Sequence, residues 1–329
     1  MDRQGAVATL KTAVAAFVSD NAAGDERWCV ALSGGADSLA LTAVAAGAKP
    51  TTALIVDHRL QPDSGQVAAT ARDQALTMGC VDAQVLCVDV GTTGGPEAAA
   101  RTARYRALDD ARDGAPVLLA HTLDDQAETV LLGLGRGSGS RSIAGMRPFD
   151  PPWYRPLLGV RRAVTHAACQ ELGLTPWQDP HNADRRFTRT RLRTEVLPLL
   201  EDVLGGGVAE ALARTATALR EDTDTLDELA GQALAEIGTG RSGIAGSAGG
   251  GLDTARLAAL PEAVRRRVIR GWLLAGGASG LTDKQIRGVD TLVTSWRGQG
   301  GVAVGSPLRS QRLIAGRRDG ILTLHTEPV

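Results

Sequence analysis

Apolar and polar positions fall into two regimes along the chain. From residue 28 to about 134, short apolar runs alternate with longer stretches whose apolar positions recur every three to four residues. Trp28-Cys29-Val30-Ala31-Leu32, Thr52-Ala53-Leu54-Ile55-Val56, Val85-Leu86-Cys87-Val88 and Val117-Leu118-Leu119-Ala120 read as strands. Their apolarity is continuous rather than alternating, which marks strands covered on both faces, as in a parallel sheet. The intervening segments read as helices: 39–46, then Ser64 to Met78 closed by Gly79, then Glu97 to Leu108 entered through Pro96. A further helix is predicted over 6–18. Strand and helix in alternation predict an α/β fold with a doubly wound parallel sheet, and right-handed crossovers bring every strand's C-terminal end to one edge.

Beyond Pro198 the apolar period stays helical, over 207–236, 261–275 and 282–296, and only 301–325 alternates enough for a hairpin. The expected organisation is therefore a catalytic α/β domain over 1–203 and a mainly helical domain over 204–329, interrupted by a glycine-rich break at 238–251. The stretch Gly135–Arg141 reads as a mobile basic loop, either a lid or a linker.

The chemistry collects at the predicted strand ends. After the first strand comes Ser33-Gly34-Gly35-Ala36-Asp37-Ser38, followed at once by a helical pattern. Two glycines let backbone N–H groups close on an anion, and the helix N-terminus points its dipole at the same place. Ser33 and Ser38 add hydroxyls, and Asp37 is a candidate Mg²⁺ ligand beside a phosphate. The Walker A lysine and glycine spacing are missing, so a different cleavage of a nucleotide is indicated. The second strand ends in Asp57-His58, and the fourth in His121-Thr122-Leu123-Asp124-Asp125-Gln126-Ala127-Glu128. Arg101 and Arg104 share one helical face, as do Asp125 and Glu128. The arginines suit an α-phosphate, whereas the acids suit an ammonium ion. His121 reads either as a substrate contact or as a hydrogen-bonded strand end, and Arg189, Arg191 and Arg193 either as nucleic-acid contacts or as a solvated face.

Composition narrows the partners. The 329 residues suffice for two domains, and a net charge of −1 excludes an overall basic chain without excluding local basic surfaces. Positive charge is almost entirely Arg, since Lys11, Lys49 and Lys284 are the only lysines. No apolar run reaches the length of a membrane span and the start has no signal-peptide pattern, so a cytoplasmic location is expected. The four cysteines form no CxxC pair and read as buried thiols.

The glycine loop resembles the SGGxDS pyrophosphate loop of the N-type ATP pyrophosphatases (PP-loop enzymes). Together with Val56-Asp57-His58-Arg59-Leu60, Ala100-Arg101-Thr102-Ala103-Arg104-Tyr105, Ala120–Thr129, Arg155-Pro156-Leu157-Leu158 and Asp179-Pro180-His181-Asn182-Ala183-Asp184 with its following arginines, it resembles the tRNA(Ile)-lysidine synthetases over about 28–200. Thr190 stands where that family usually has Asn, and the chain looks like a short form without a second C-terminal domain. The resemblance implies a Rossmann-like catalytic domain, ATP and Mg²⁺ as cofactors, and CAU-anticodon tRNA(Ile) and L-lysine as partners. It implies adenylation of the wobble cytidine followed by attachment of lysine. A homodimer is left open. The alternatives are a tRNA thiolase of the same fold, which would need a cysteine beside the crevice motifs, a small-molecule amide or NAD-type synthetase, and a non-catalytic nucleotide-binding module.

Overall fold

The structure is a computed structural model that describes residues 5–21, 24–59, 61, 63–91, 95–137, 139–179, 184–238, 250–306 and 311–328. Leu60, Gly94, Ser138, Pro180, His181, Asn182, Ala183 and most of the glycine-rich break (239–249) lie outside the described residues.

The first compact unit covers residues 1–217 and the second 218–329. In chain order the first contains α1 (Ala6–Asn21), β1 (Trp28–Ala31), α2 (Ala36–Ala46), β2 (Thr51–Asp57), α3 (Ser64–Thr77), β3 (Asp82–Cys87), α4 (Pro96–Ala111) and β4 (Val117–Leu118). It continues with α5 (Leu123–Arg136), α6 (Ser140–Ile143), β5 (Phe149–Asp150), β6 (Trp153–Tyr154), α7 (Arg162–Glu171), α8 (Thr188–Arg191), a π-helical stretch over Leu192–Val196, and α9 (Leu197–Leu204). The long α10 (Val208–Ile237) contains the division between the units.

The sheet order is β3-β2-β1-β4-β6-β5, parallel except for β5 at one edge. Alternate residues of the strands enter two separate cores, which is what two-sided covering requires. Trp28, Val30, Leu32, Ala53 and Ile55 pack with α1, α2, α3 and α7, while Cys29, Leu54, Val117 and Leu119 pack with Leu108 and Tyr105 of α4. Each of the fully buried leucines among these contributes about 1.5–3 kcal/mol of burial. The parallel strands place the ends of β1, β2 and β4 side by side, so the glycine loop, Asp57-His58 and the His121 segment line one crevice.

Two expectations change. Val117–Ala120 is regular only over its first two residues, although Leu119 still donates its N–H to the Tyr154 carbonyl at 2.7 Å. Gly135 and Arg136 belong to the last turn of α5, which ends at Gly137 with φ +62° and not in a loop beginning at Gly135. Gly133 lies against the Ser142 carbonyl so closely that a Cβ there would come within 2.1 Å of it, and this fixes α6 on α5.

The second unit holds the rest of α10, β7 (Leu252–Asp253), α11 (Thr254–Ala258), α12 (Glu262–Ala275), α13 (Asp283–Thr294), β8 (Val302–Val304), β9 (Gln311–Arg318) and β10 (Ile321–Pro328). The expected hairpin is β9–β10, but β7 and β8 extend it to a four-stranded antiparallel sheet in the order β7-β10-β9-β8. Its apolar face shares one core with α12 and α13, including Leu252, Val268, Ile269, Val289, Ala315 and Leu322.

Candidate active site

The glycine loop is shaped from within. Gly34 has φ +81°, a value that disfavours any side chain, and its carbonyl accepts the Trp177 N–H at 2.9 Å. The Ser38 hydroxyl donates to the Gly35 carbonyl at 2.9 Å and accepts the Ser33 N–H at 3.2 Å, so it braces the loop and is buried. Ser33 keeps an exposed hydroxyl, 3.1 Å from that of Ser38. Gly35 caps α2 without any side-chain hydrogen bond. The first N–H groups of α2, beginning at Ala36, therefore face the crevice with no capping acceptor, and this suits a phosphate.

Asp37, in the first turn of α2, accepts a short hydrogen bond from the Thr165 hydroxyl, and its other oxygen lies 3.4 Å from Arg162 Nε. Burial raises its pKa above the ordinary carboxylate value, and Thr165 and Arg162 only partly oppose this. A carboxylate disfavoured in its charged form gains from a further cation beside it, which fits Asp37 to Mg²⁺. Among the described residues no three His, Cys, Asp or Glu side chains converge as a metal cluster, so such an ion would complete its octahedron with phosphate oxygens and water.

Asp57 is buried at the end of β2, where one oxygen accepts the Arg59 N–H at 2.9 Å. Arg104 has only donors, so its approach to His58 Nε2 at 3.4 Å puts the ring proton on Nδ1, which is buried and has no partner among the described residues. Burial, with help from Arg104, lowers the His58 pKa and keeps the ring neutral. Arg101 instead lies over the Tyr105 ring, 4.8 Å from its centroid, and Tyr105 packs edge-on against Trp153.

The acids of α5 are neither solvated nor free. Thr122 and Asp125 form a capping box: one oxygen of Asp125 accepts from the Thr122 N–H and hydroxyl, each at 2.8 Å. Its other oxygen takes Arg162 Nη2 at 2.6 Å. Burial works against the Asp125 charge, but Arg162, Thr122 and His121 outweigh it and hold the carboxyl below its usual range. Glu128, one turn on, is fully buried and faces Arg162 at 3.4 Å and Arg193 at 2.8 and 3.2 Å, with Arg189 at 3.8 Å.

Arg162 is the residue that sequence reasoning missed. It opens α7, where a cation opposes the helix dipole, and that misplacement was the available signal. Its N–H donates to Asp124 at 2.7 Å while its guanidinium meets Asp37, Asp125 and Glu128. One side chain thus ties the glycine loop to the acids of α5. The neighbouring Arg161 pairs with Asp124 at 3.1 Å and Glu210 at 2.7 Å.

His121 completes the cluster. Burial lowers its pKa to about 4, Arg155, Arg101 and Arg189 adding to the effect and Asp125 opposing it. Its Nδ1 is buried and unpartnered among the described residues. The arginine run starts in a turn, becomes helical from Thr188, and divides by direction. Arg193 and Arg189 turn inward to Glu128, Arg185 and Arg191 pair with Glu195, and Arg186 pairs with Asp184. Thr190 is buried between them.

One sequence argument is corrected by the sheet register. β3 pairs Cys87 with Asp57, so an exposed cysteine does stand on the crevice edge, while Cys29, Cys80 and Cys169 are buried. Cysteine position alone therefore does not exclude a thiolase.

A parallel sheet with an uncapped glycine loop at its C-terminal edge defines a PP-loop enzyme. The PP-loop domain family matches residues 7–200, and the TilS substrate binding domain matches residues 252–315. Over its full 329 residues, and the full length of that relative, the chain is 75% identical to the tRNA(Ile)-lysidine synthase of Mycobacterium tuberculosis (strain ATCC 25618 / H37Rv). It is 62% identical to that of Rhodococcus erythropolis, over 92% of this chain and 90% of the relative. Among solved structures, the U34-tRNA thiolase NcsA from Methanococcus maripaludis with its [4Fe-4S] cluster superposes with TM-score 0.53 at 17% identity, over 66% of this chain and 80% of that one, which speaks for the fold alone. The chain belongs to the tRNA(Ile)-lysidine synthase family. It is an ATP-using ligase of tRNA modification, and the thiolase alternative falls to these matches. No helix among the described residues is long and apolar enough to cross a membrane.

Proposed function

We propose that the enzyme adenylates O2 of the wobble cytidine in CAU-anticodon tRNA(Ile) and then joins the ε-amine of free L-lysine to C2 of that base. The observation that carries this reading is that Asp37 of the nucleotide loop and the acids Asp125 and Glu128 meet on one guanidinium, Arg162. Two half-reactions on one base need that adjacency.

In the first half, cytidine O2 forms a bond to the α-phosphorus and pyrophosphate leaves. The open N–H groups of the glycine loop and the Ser33 hydroxyl receive the leaving phosphates. Asp57 and the Nδ1 proton of His58 would border the nucleotide, and Arg104, on α4 beside His58, would meet the α-phosphate with Arg101 of the same helix. Asp37 would hold Mg²⁺, which when bound neutralises charge on the phosphates.

In the second half, the lysine nitrogen bonds to C2 and AMP departs with O2. Asp125 and Glu128 anchor an ammonium, Asp125 being held ionised. The ammonium must give up a proton before its nitrogen has a lone pair for C2; the neighbouring carboxylates can accept it, and the N–H proton that turns acidic once nitrogen bonds to carbon can pass to Nδ1 of neutral His121. Arg189, Arg191 and Arg193 lie on the helical run that would meet the anticodon loop, where guanidinium groups pair with phosphate and stack on unpaired bases.

Incubation with ATP, labelled lysine and tRNA(Ile) transcript, followed by digestion to nucleosides, tests the reading. Label is expected on a modified cytidine. Label that never enters a nucleoside overturns it.

A further inference from the structure

Glu128 has no exposed surface, and arginines meet both of its oxygens. An ammonium ion can reach it only if one of them withdraws. They are unequal in how easily they can do so. Arg162 is 16% exposed, is bound to three carboxylates, and has its backbone N–H tied to Asp124. Arg193 is 33% exposed and meets two of these acids, Asp125 and Glu128, from the π-helical stretch. That stretch, Leu192–Val196, carries a wider turn than the α-helices before and after it, a geometry that recurs at functional sites. Arg189 also reaches α5, at Thr129 and Glu128, whereas Arg191 pairs with Glu195 and Arg186 with Asp184 within or beside the run. Arg189 is 40% exposed but stands 3.8 Å from one oxygen only, so its departure would leave both oxygens of Glu128 occupied. Of the two guanidiniums in hydrogen-bond contact with Glu128, Arg193 is therefore the one free to withdraw, by position and by burial.

A buried carboxylate stripped of its cation is costly, so a cation leaving Glu128 must be replaced by another. A guanidinium leaving and an ammonium arriving keep the charge of the site constant. What would draw the guanidinium out is an acceptor at least as good as a carboxylate, and phosphate, with its paired oxygens, is one.

We propose that Arg193 is a displaceable counter-ion that reserves Glu128 until a tRNA phosphate draws it out, so that lysine takes its place only on the tRNA-bound enzyme. The inference rests on the reading of Asp125 and Glu128 as the ammonium site. It makes lysine and tRNA mutually reinforcing ligands, since a factor by which tRNA tightens lysine is the factor by which lysine tightens tRNA. It also protects the site from other amines while no tRNA is bound.

Equilibrium dialysis of labelled lysine against the full chain, with Mg²⁺ and the α,β-methylene analogue of ATP so that no adenylate forms, tests this with and without saturating tRNA(Ile) transcript. Wild type should bind lysine about tenfold or more tighter with tRNA, within the usual range of coupling between sites. Arg193→Met should bind lysine without tRNA nearly as tightly as tRNA-bound wild type, and the tRNA effect should fall below about twofold. Arg193→Lys, which keeps a single displaceable charge, should retain part of the effect and decides the matter if Arg193→Met does not fold. Lysine affinity in wild type that ignores tRNA, or Arg193 variants with undiminished coupling, overturns the inference. Glu128→Gln separates the two levels. If it binds lysine like wild type, the ammonium reading itself fails. If it loses lysine while Arg193→Met keeps its full tRNA dependence, only the counter-ion role fails.

Discussion

Two arginine–carboxylate clusters, one in each compact unit, show how similar side chains serve different ends. In the second unit Asp290 of α13 receives Arg265 on one oxygen at 2.6 Å and Arg266 on the other at 3.1 Å, both from α12. Arg265 also donates to the Leu260 carbonyl at 2.8 Å, and the pair is about as buried as core leucines, at 10% and 7% exposure. It clamps two helices and is closed at Arg265 and Asp290, with only Arg266 reaching outward, to Glu262 of its own helix. The crevice cluster draws Asp37, Asp125, Glu128, Arg162, Arg189 and Arg193 from four separate segments, borders the unpartnered Nδ1 of His121, and includes guanidiniums open to solvent. Closure marks a structural ion pair, and partial openness at strand ends marks a site whose ions can be exchanged.

The largest effect should come from breaking the closed cluster. Asp290→Ala leaves the Arg265 charge buried without compensation and should cost roughly 3–5 kcal/mol, read by urea unfolding of the full chain. The pair replacement Arg265→Met with Asp290→Leu should recover most of that loss, whereas no apolar replacement in the crevice should recover activity. Asp37→Ala should leave the circular-dichroism spectrum unchanged but slow Mg²⁺-dependent pyrophosphate release by a factor equivalent to about 3 kcal/mol. Near-normal release would remove the loop from the mechanism.

Asp125→Asn comes next. The amide oxygen can still accept from Thr122 and cap α5, so the variant isolates the loss of charge on the Arg162 side. It should weaken lysine use by the worth of a charge-assisted hydrogen bond, about 1.5–3 kcal/mol, and leave adenylation nearly intact. Equal damage to both steps would argue against an ammonium role.

The pH dependence of stability separates the histidine from the acids. His121 has a folded pKa of about 4, below its ordinary value, so only the unfolded chain takes up this proton as pH falls from about 6.5 to 4. Stability should fall across that window by at most about 1.4 kcal/mol per pH unit from this group, and stay level below it. Asp37, raised above its ordinary value, contributes the opposite slope, and Asp125, lowered, contributes stability that is lost only at still lower pH. His121→Gln should flatten the acid side of the profile. An unchanged profile would mean that the ring is not held neutral by burial.

Arg191→Ala should do least. Its exposed pair with Glu195 is worth under about 1 kcal/mol, so unfolding should hardly change. If its guanidinium meets a phosphate, the log–log salt slope of tRNA binding should drop by roughly 0.7–0.9. An unaltered affinity and slope would leave Arg191 as a solvated partner of Glu195.

Local signals were enough for the frame of the first unit. The runs at 28–32 and 52–56 could be read as buried strands because every residue faces one core or the other, and Pro96 and Gly79 mark helix ends through backbone constraints that hold in any context. The glycine loop and the acids of α5 were legible for the same reason, since a turn, a helix start and a three-residue spacing are local. β5, β6, β7 and β8, of two or three residues each, were not legible, because strands that short are created by the neighbours they pair with. The π-helical stretch inside the arginine run is equally silent in the sequence.

What only the tertiary structure decided is which charges meet. The sequence determined that acids stand on one face of α5, that a phosphate loop follows β1 and that arginines crowd 185–193. It could not determine that Arg162, 34 residues from Glu128, joins loop and acids, or that Arg193 faces inward while Arg191 faces out. Nor could it place Cys87 beside Asp57, which depends on strand register. Helix and strand periodicity are set by each segment's own backbone. Partnership between side chains is set by the burial that brings distant segments together, because a charge taken out of water must find whichever opposite charge the fold has placed within reach.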